Sequence, residues 1–550
     1  MMTSATSATR ERHIGTREEL SDLLLSRFNR NLAVYFQTCQ RCGLCADTCH
    51  YYRAIGDPKM IPAYKIEQVR KLYQRQSVGW RRKMSFWIPD GDGLDEDELQ
   101  TLKDVVFGSC TMCRRCTLTC PMGIDTGMIM RAARGMLTLA HKAPKGLQDT
   151  VDIHVMTGNN MGMDKEEFVD TVEWMEEELQ KDIGDPTAKI PIDREGAKNL
   201  WVLNPREVKF FPLLLQAQAK IFHAAGESYT LSSKYWDVTN YALFNGDDKD
   251  AATIAGYVLE EADRLGCDTI ICTECGHGMR ELKYMAPVWL KRSDFRVRAF
   301  VEVVSDYIQS GRIKLNPTVN KERVTYHDPC NQARSGNYIE EPRIVLKNSV
   351  LDFVDLTPCG RNNFCCGGGG GALTMSEYRG KRLDSARVKA DQIKATGAKI
   401  VATSCHNCID QLAEINRHYK LGVKVVNTCE LTADAIMLPR RMFLSTGVPV
   451  NINIRGYLEE PSLWNHEVAQ FLATNEGIED LQEEHMRVIG YVRDCFTQHK
   501  AWPLPQRINR DLSVNLQRLF PGSINVVFKI AGLPEPDEQI IWHDSELSKN

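Results

Sequence analysis

Long apolar runs are missing from this sequence. No stretch of about 18 apolar residues occurs, and the greasiest segment, FFPLLLQAQAKIF from Phe210 to Phe222, is short and broken by proline and glutamine. The chain is therefore not expected to span a membrane by itself. Its first residues, MMTSATSATRERH, lack the apolar core of a secretory signal peptide. An excess of basic charge is lacking too: the net charge is -4 over 550 residues, with 25% charged, which excludes the electrostatic footprint of a nucleic-acid binder. No Lys-Ser or Lys-Thr follows the glycine run Gly367–Gly371, so it is not a phosphate loop, and no flavin or nicotinamide fingerprint is present. The expected setting is a reducing cytoplasm, where clustered cysteines read as metal ligands and not as disulfides.

Cysteine is what the chain has in excess, 19 residues, most of them in tight groups. Residues 39 to 49 read CQRCGLCADTC and residues 110 to 121 read CTMCRRCTLTCP, each a C-x-x-C-x-x-C-x-x-x-C run. This spacing holds cubane 4Fe-4S clusters: three cysteines wrap one cluster and the fourth reaches the other. Cys39, Cys42 and Cys45 are thus paired with Cys120, and Cys110, Cys113 and Cys116 with Cys49. Zinc knuckles would leave the third C-x-x-C step, present in both runs, without a purpose. His50 stands where proline follows the second run.

After an amphipathic stretch, DKEEFVDTVEWMEEELQKD, with Phe168, Val172, Met175 and Leu179 on one stripe, the pattern changes near residue 196. That stretch reads as a solvated helix leading into the next domain. Beyond it, KNLWVLNP, CDTIICTEC, RVTYHDPC and AKIVATSCHNC read as strands ending in loops, with DAATIAGYVLEEADRLG and EYRGKRLDSARVKADQIKATG as helices between them. Parallel strands in α/β layers are expected, with function at their carboxyl ends. Aligning the strand ends exposes a repeat: IICTECGHGM matches IVATSCHNCI, so Cys275 falls on Cys405 and Gly278 on Cys408, while Arg206 stands in place of Cys330.

In the second half Cys330, Cys365, Cys366, Cys405 and Cys408 follow the pattern C, thirty-four residues, C-C-G, thirty-eight residues, C-x-x-C. This resembles the cysteine-rich CCG domain of the heterodisulfide reductase family, in which such motifs lie in tandem and bind non-cubane 4Fe-4S clusters. The resemblance covers about residues 38 to 435. It implies an α+β multidomain fold: a helical two-cluster ferredoxin domain followed by a duplicated α/β CCG catalytic domain. The expected boundaries are 1–37 for an N-terminal amphipathic arm, 38–150 for the ferredoxin domain, 151–195 for an acidic helical linker, 196–318 for a degenerate first half, 319–440 for the intact second half and 441–550 for an extension. Only Cys275 survives in the first half, where SKYWD around Tyr235 and Trp236 lies in place of the double cysteine. One non-cubane cluster is therefore expected beside the two cubanes, with Cys275 at the edge of its cavity. Gly367, Gly368 and Gly369 let the backbone approach that cluster and donate N–H groups to its sulfurs. His277, His327 and His406 read as structural hydrogen-bonders or as donors to a leaving thiolate, and Cys267, Cys272, Cys359, Cys429 and Cys495 as ordinary buried residues.

The module order is similar to the D subunit of membrane heterodisulfide reductases, and more so to the K subunit of the Dsr membrane complex of sulfur-metabolising microbes. That likeness implies a thiol:disulfide oxidoreductase attached to the cytoplasmic face of the inner membrane by partners. The implied partners are a cytochrome b (DsrM-like) subunit facing menaquinone, other Dsr membrane-complex subunits, and the carrier protein DsrC as disulfide or trisulfide substrate. The other reading is an electron conduit in a flavoprotein glycolate, lactate or glycerol-3-phosphate oxidoreductase complex. VGWRRKMSFW, with Trp80 and Trp87 around Arg81, Arg82 and Lys83, reads as an interfacial patch or a basic face packed within the protein. Anaerobically isolated protein is expected to carry about twelve irons per chain, three clusters of four, and a Cys366→Ser variant about eight, as counted by iron assay.

Overall fold

The computed structural model describes residues 30–77, 96–438, 440–453, 456–521 and 524–534. Most of the N-terminal arm and the Trp80–Trp87 patch lie outside them. The chain forms two compact units, one built from residues up to Glu176 together with Lys189–Ile436, the other from Glu177–Ala188 together with residues from Met437 on.

In the first unit, helices Arg30–Thr38, Pro62–Ser77, Glu96–Val106 and Thr126–Leu139 meet around one apolar core. Leu32 and Phe36, Ile66 and Val69, Leu102 and Val106, and Ile129 and Ala133 supply it, each pair three or four residues apart and so on one helical face. Proline opens Pro62–Ser77, where its missing N–H costs nothing. Asp125 caps Thr126–Leu139 by accepting from Met128 N at 3.1 Å.

Strands β1 (Asn199–Val202), β2 (Tyr229–Thr230), β3 (Thr269–Cys272) and β4 (Arg296–Ala299) form a parallel sheet in the order β2-β1-β3-β4. Strands β5 (Arg323–Tyr326), β6 (Asp352–Asp355), β7 (Ile400–Thr403) and β8 (Lys424–Asn427) form a second in the order β6-β5-β7-β8. Leu200 is in register with Ile270, and Val324 with Ile400. The central strands β1, β3 and β7 are buried along their whole length, because helices cover both faces, and this is why they read as continuous apolar runs. The expected helix over EYRGKRLDSARVKADQIKATG forms as two, Arg379–Ser385 and Arg387–Thr396, with Ala386 between them. On helix Lys165–Ile183 the Phe168, Val172, Met175 and Leu179 stripe is buried, and Phe168 stacks on Trp236 at 4.4 Å.

The strand-end loops of the first half are filled by protein. Tyr235 stacks on Tyr257 at 4.3 Å, and the carbonyl oxygen of Val238 lies 2.2 Å from where a Cβ on Gly278 would sit. The position aligned with Cys408 therefore has no room for any side chain.

The second unit carries an antiparallel hairpin, β9 (Arg440–Phe443) with β10 (Pro449–Ile452), and helices His466–Asn475, Glu483–His499, Pro505–Leu512 and Ile524–Ile530. Val450, Leu472, Val488, Val492, Ile508 and Val527 form its core. Gly278→Ala is expected to destabilise the first unit by about 1–3 kcal/mol through overpacking, read as a lower denaturant midpoint.

Candidate functional site

The first cysteine run is the more exposed. Cys42 lies at the surface, while Cys39 and Cys45 are half-buried. Burial, with the neighbouring Cys39 and Cys42, pushes the Cys45 thiol up. Cys120 ends the short helix Arg115–Thr119 and, like Cys39, packs against the helical core.

The second set is enclosed. Cys49, Cys110, Cys113 and Cys116 line one hollow with Lys65, Tyr51 and Thr126. Cys49 reaches it because it caps the helix His50–Ile55. Lys65 is 2% exposed, yet among the described residues it pairs with no carboxylate: its Nζ donates to Cys49 Sγ at 3.6 Å and to the Ser109 carbonyl. Burial pulls its ammonium down, but Cys49, Cys110 and Cys116 outweigh that and hold it above the ordinary lysine value. Arg134 is equally buried and spends its donors on carbonyls alone, of Val106 at 2.8 Å, Phe244 at 2.8 Å, Gly370 at 2.7 Å and Cys110 at 2.6 Å. Two buried cations without a carboxylate require an anionic neighbour. Four thiolates around an iron–sulfur cluster are that anion, so the donor set fits a cubane.

This hollow abuts the next. Cys113 shares a hydrogen bond with Cys365, which holds the Cys113 thiol well below its ordinary value and pushes Cys365 well above. Thr111 Oγ1 lies 3.5 Å from Cys365 Sγ. Arg334 donates to the Cys113 carbonyl at 2.7 Å and to that of Asn363 at 2.6 Å. Arg115 donates to the Asn362 carbonyl at 2.8 Å and lies 3.7 Å over the Phe364 ring. Such an approach needs glycine: Gly370 has φ +67° and a Cβ on it would be 2.8 Å from Thr111 backbone atoms, while one on Gly368 would be 2.7 Å from the Asn407 carbonyl.

Cys330 follows β5, Cys365 and Cys366 lie in the loop after β6, and Cys405 follows β7 with Cys408 in the helix after it, so three strand-end loops bring the thiols together. They form a row. Cys365 contacts Cys330 and Cys366, Cys366 Sγ is 3.6 Å from Cys408 Sγ, and the free thiols of Cys408 and Cys405 share a hydrogen bond. Hydrogen bonds along it hold the Cys366 and Cys405 thiols below their ordinary value and push Cys365 and Cys408 above it. Gly367 N donates to Cys365 Sγ at 3.3 Å. Cys405 caps helix His406–Tyr419, whose positive end favours its thiolate. Five buried thiols with backbone N–H donors suit a thiolate-rich iron–sulfur centre. The hollow they line also includes His277, His327, Asn331, Gly369 and Asn407. Cys275 stands one layer back, its Sγ 3.4 Å from His277 Nδ1, and it is His277 that faces the thiols. His406 packs edge-on to Phe211, outside the hollow.

Sequence reasoning missed Lys65, Arg134, Thr111 and Arg334. Lys65 shares a stripe with Val69, and Arg134 one with Met130 and Leu137, so a cation at an apolar helix position was the available signal. Arg334 and Thr111 carried none.

Comparison with known proteins adds the following. A family model for a 4Fe-4S dicluster domain matches residues 35–124, one for a cysteine-rich domain matches 324–413, and one for a DsrC like protein matches 445–540. The Hdr-like menaquinol oxidoreductase iron-sulfur subunit 2 of Archaeoglobus fulgidus is 27% identical over 455 residues, 74% of this chain and 81% of that protein. The D subunit of the dihydromethanophenazine:CoB--CoM heterodisulfide reductase of Methanosarcina barkeri is 27% identical over 408 residues, 73% of this chain and 94% of its own. The EtfAB:quinone oxidoreductase of Syntrophomonas wolfei is 23% identical over 433 residues, 72% of this chain and 56% of that protein. A DsrC-like segment thus lies within this chain, in the extension to which the sequence motifs assigned no role.

Lys65→Met is expected to lower the midpoint potential of the enclosed cluster and leave the exposed one unchanged, as read by an EPR-monitored redox titration. Removing a buried cation disfavours the more negative, reduced state.

Proposed function

The chain is a heterodisulfide reductase-like iron–sulfur oxidoreductase, and from that premise we propose that it passes electrons between the quinone pool of a membrane partner and the S–S bond of a separate substrate. The observation that carries this reading is the unbroken line of thiols, from the enclosed quartet through the Cys113–Cys365 contact to Cys366, Cys408 and Cys405. Bound there, iron–sulfur centres supply one-electron steps. The bond change needs two: R–S–S–R′ with two electrons and two protons gives RSH and R′SH, and the reverse yields the same two electrons.

Cys39, Cys42, Cys45 and Cys120 would hold an exposed cluster and Cys49, Cys110, Cys113 and Cys116 a second beside Cys365, and the two would supply one-electron transfer in either direction. Lys65 and Arg134 balance the added charge at the second stop. Gly367 and the helix end at Cys405 stabilise thiolates at the third. The first-half loops, closed at Gly278, have no equivalent site. This asymmetry, with the matching strand orders of the two sheets, supports a duplicated unit in which one copy works.

The chain's own C-terminal segment offers no internal disulfide as substrate. Residues 445–540 contain one cysteine, Cys495, which is buried, and a lone thiol closes no internal disulfide. A separate carrier, DsrC or another dithiol, fits the reading. Membrane attachment comes from a partner, since no helix among the described residues is long and apolar enough to cross a bilayer. Likeness to an EtfAB:quinone oxidoreductase favours a second reading, a conduit between a flavoprotein and quinone.

Low-temperature EPR on oxidised protein titrated with 2-mercaptoethanol separates the two. The expected result is a new paramagnetic signal that depends on thiol and is lost in Cys366→Ser; thiol-insensitive spectra with ferredoxin-type signals alone would establish the conduit. Cys495→Ser is expected to leave electron transfer to an added disulfide unchanged, measured as its rate of reduction.

A further inference from the structure

His327 presents a ring nitrogen to the two thiols of Cys366 and Cys408, all three ligand atoms lying within 4.8 Å of one another. The same placement suits two opposed roles. A ligand needs a lone pair on that nitrogen, and a hydrogen-bond donor needs a proton there. What the other ring nitrogen does decides between them.

His327 Nδ1 faces Asn363 Nδ2 at 3.1 Å. An amide can turn either way, so its orientation has to come from groups that cannot. Two supply it. On one side the backbone carbonyl of Asp328, which only accepts, lies 3.0 Å from Asn363 Nδ2. On the other Lys389 Nζ, which donates, lies 2.6 Å from Asn363 Oδ1. Lys389 is anchored in turn: its Nζ also donates to Gln392 Oε1 at 2.7 Å, and Gln392 is held in that orientation because its Nε2 donates to the carbonyls of Thr357 at 2.9 Å and Pro358 at 3.1 Å. Burial pushes the Lys389 ammonium down to about 7. A neutral amine still keeps two N–H bonds, one for each amide oxygen, so the arrangement holds with either charge. His327, Asn363 and Lys389 are all buried, so no bulk water supplies other partners.

Asn363 Nδ2 must therefore donate, and His327 Nδ1 must accept. The proton of the neutral ring is then on Nε2, the nitrogen left for the thiols. We infer that His327 is a positioning residue that donates an N–H···S hydrogen bond to Cys366, enforced by the chain Gln392–Lys389–Asn363, and is not a further ligand of the iron–sulfur centre. This rests on the proposed centre at Cys366. Its effect there is to draw charge off one sulfur of the row, the sulfur between Cys365 and Cys408.

The test is pulsed EPR on the thiol-dependent signal of the full, cofactor-loaded chain carrying 15N-labelled histidine. The expected spectrum shows a proton coupling that disappears in D2O and only weak 15N coupling. In Asn363→Asp the carboxylate accepts from both Lys389 and a proton on Nδ1, so the His327 exchangeable coupling is expected to be lost, with that of the Gly367 N–H and the iron retained. His327→Gln, which keeps a side-chain N–H, is expected to retain about twelve irons. A strong 15N coupling, an exchangeable-proton pattern unchanged by Asn363→Asp, or a fall to about eight irons in His327→Gln would each overturn the assignment. Should the wild-type chain itself hold about eight irons, the reading of the site fails separately, and the His327 tautomer is then read from its 15N chemical shifts: a protonated Nδ1 would overturn the assignment.

Discussion

Charge that water cannot reach governs the interior of this protein. Lys65 and Arg134 lie buried in the first unit with carbonyls and a thiol, and no carboxylate, as their hydrogen-bond acceptors among the described residues, and an isolated buried cation costs several kcal/mol. The cysteine quartet beside them carries the compensating negative charge once metallated. Neither half of that balance is tolerable alone, so the helical core that buries the cations and the loop that gathers the thiols depend on each other. Arg134 extends the dependence to the Gly370 carbonyl, and through it to the loop that carries Cys365 and Cys366.

Much of this was legible along the chain, and the division follows the range of the interactions. The two cysteine runs are local patterns, and the grouping of Cys49 with Cys110, Cys113 and Cys116 follows from their spacing alone. The strands β1, β3 and β7 announce themselves because burial on both faces makes them mostly apolar. The edge strand β6 does not: Asp352 and Asp355 bound it and it is half-buried throughout. β2 is two residues long, too short for any periodicity. Contacts such as Arg334 with Cys113, or Lys389 with Asn363, join residues whose proximity only the folded chain creates. The C-terminal unit, an apolar helical core with a hairpin, offers no ligand spacing to notice.

The glycine run illustrates how one observation acquires a second cause. Read alone, five glycines beside two cysteines suggest a backbone stripped bare to admit an inorganic core. The folded chain shows that Gly368 and Gly370 answer to protein neighbours, the Asn407 carbonyl and the Thr111 backbone. Gly367 does meet the first expectation, with its N–H on Cys365 Sγ. The run thus serves cofactor and packing at once, although a Cβ on Gly369 would meet only ordinary contacts, the nearest being the Thr111 carbonyl oxygen at 3.8 Å.

The seating of that run on the Thr111 loop also imposes an order on maturation. The enclosed thiols are covered by the loop from Phe364 to Gly371, and a four-iron cofactor is too bulky to pass through packing that excludes a methyl group. Filling the site of Cys110, Cys113 and Cys116 is therefore easiest while the two loops are still apart, and their closing slows exchange at these half-buried thiols. The set around Cys42 lies at the surface and stays open to exchange. Cys42, the most exposed of these thiols, is therefore the first that oxygen meets, ahead of the buried row from Cys330 to Cys408.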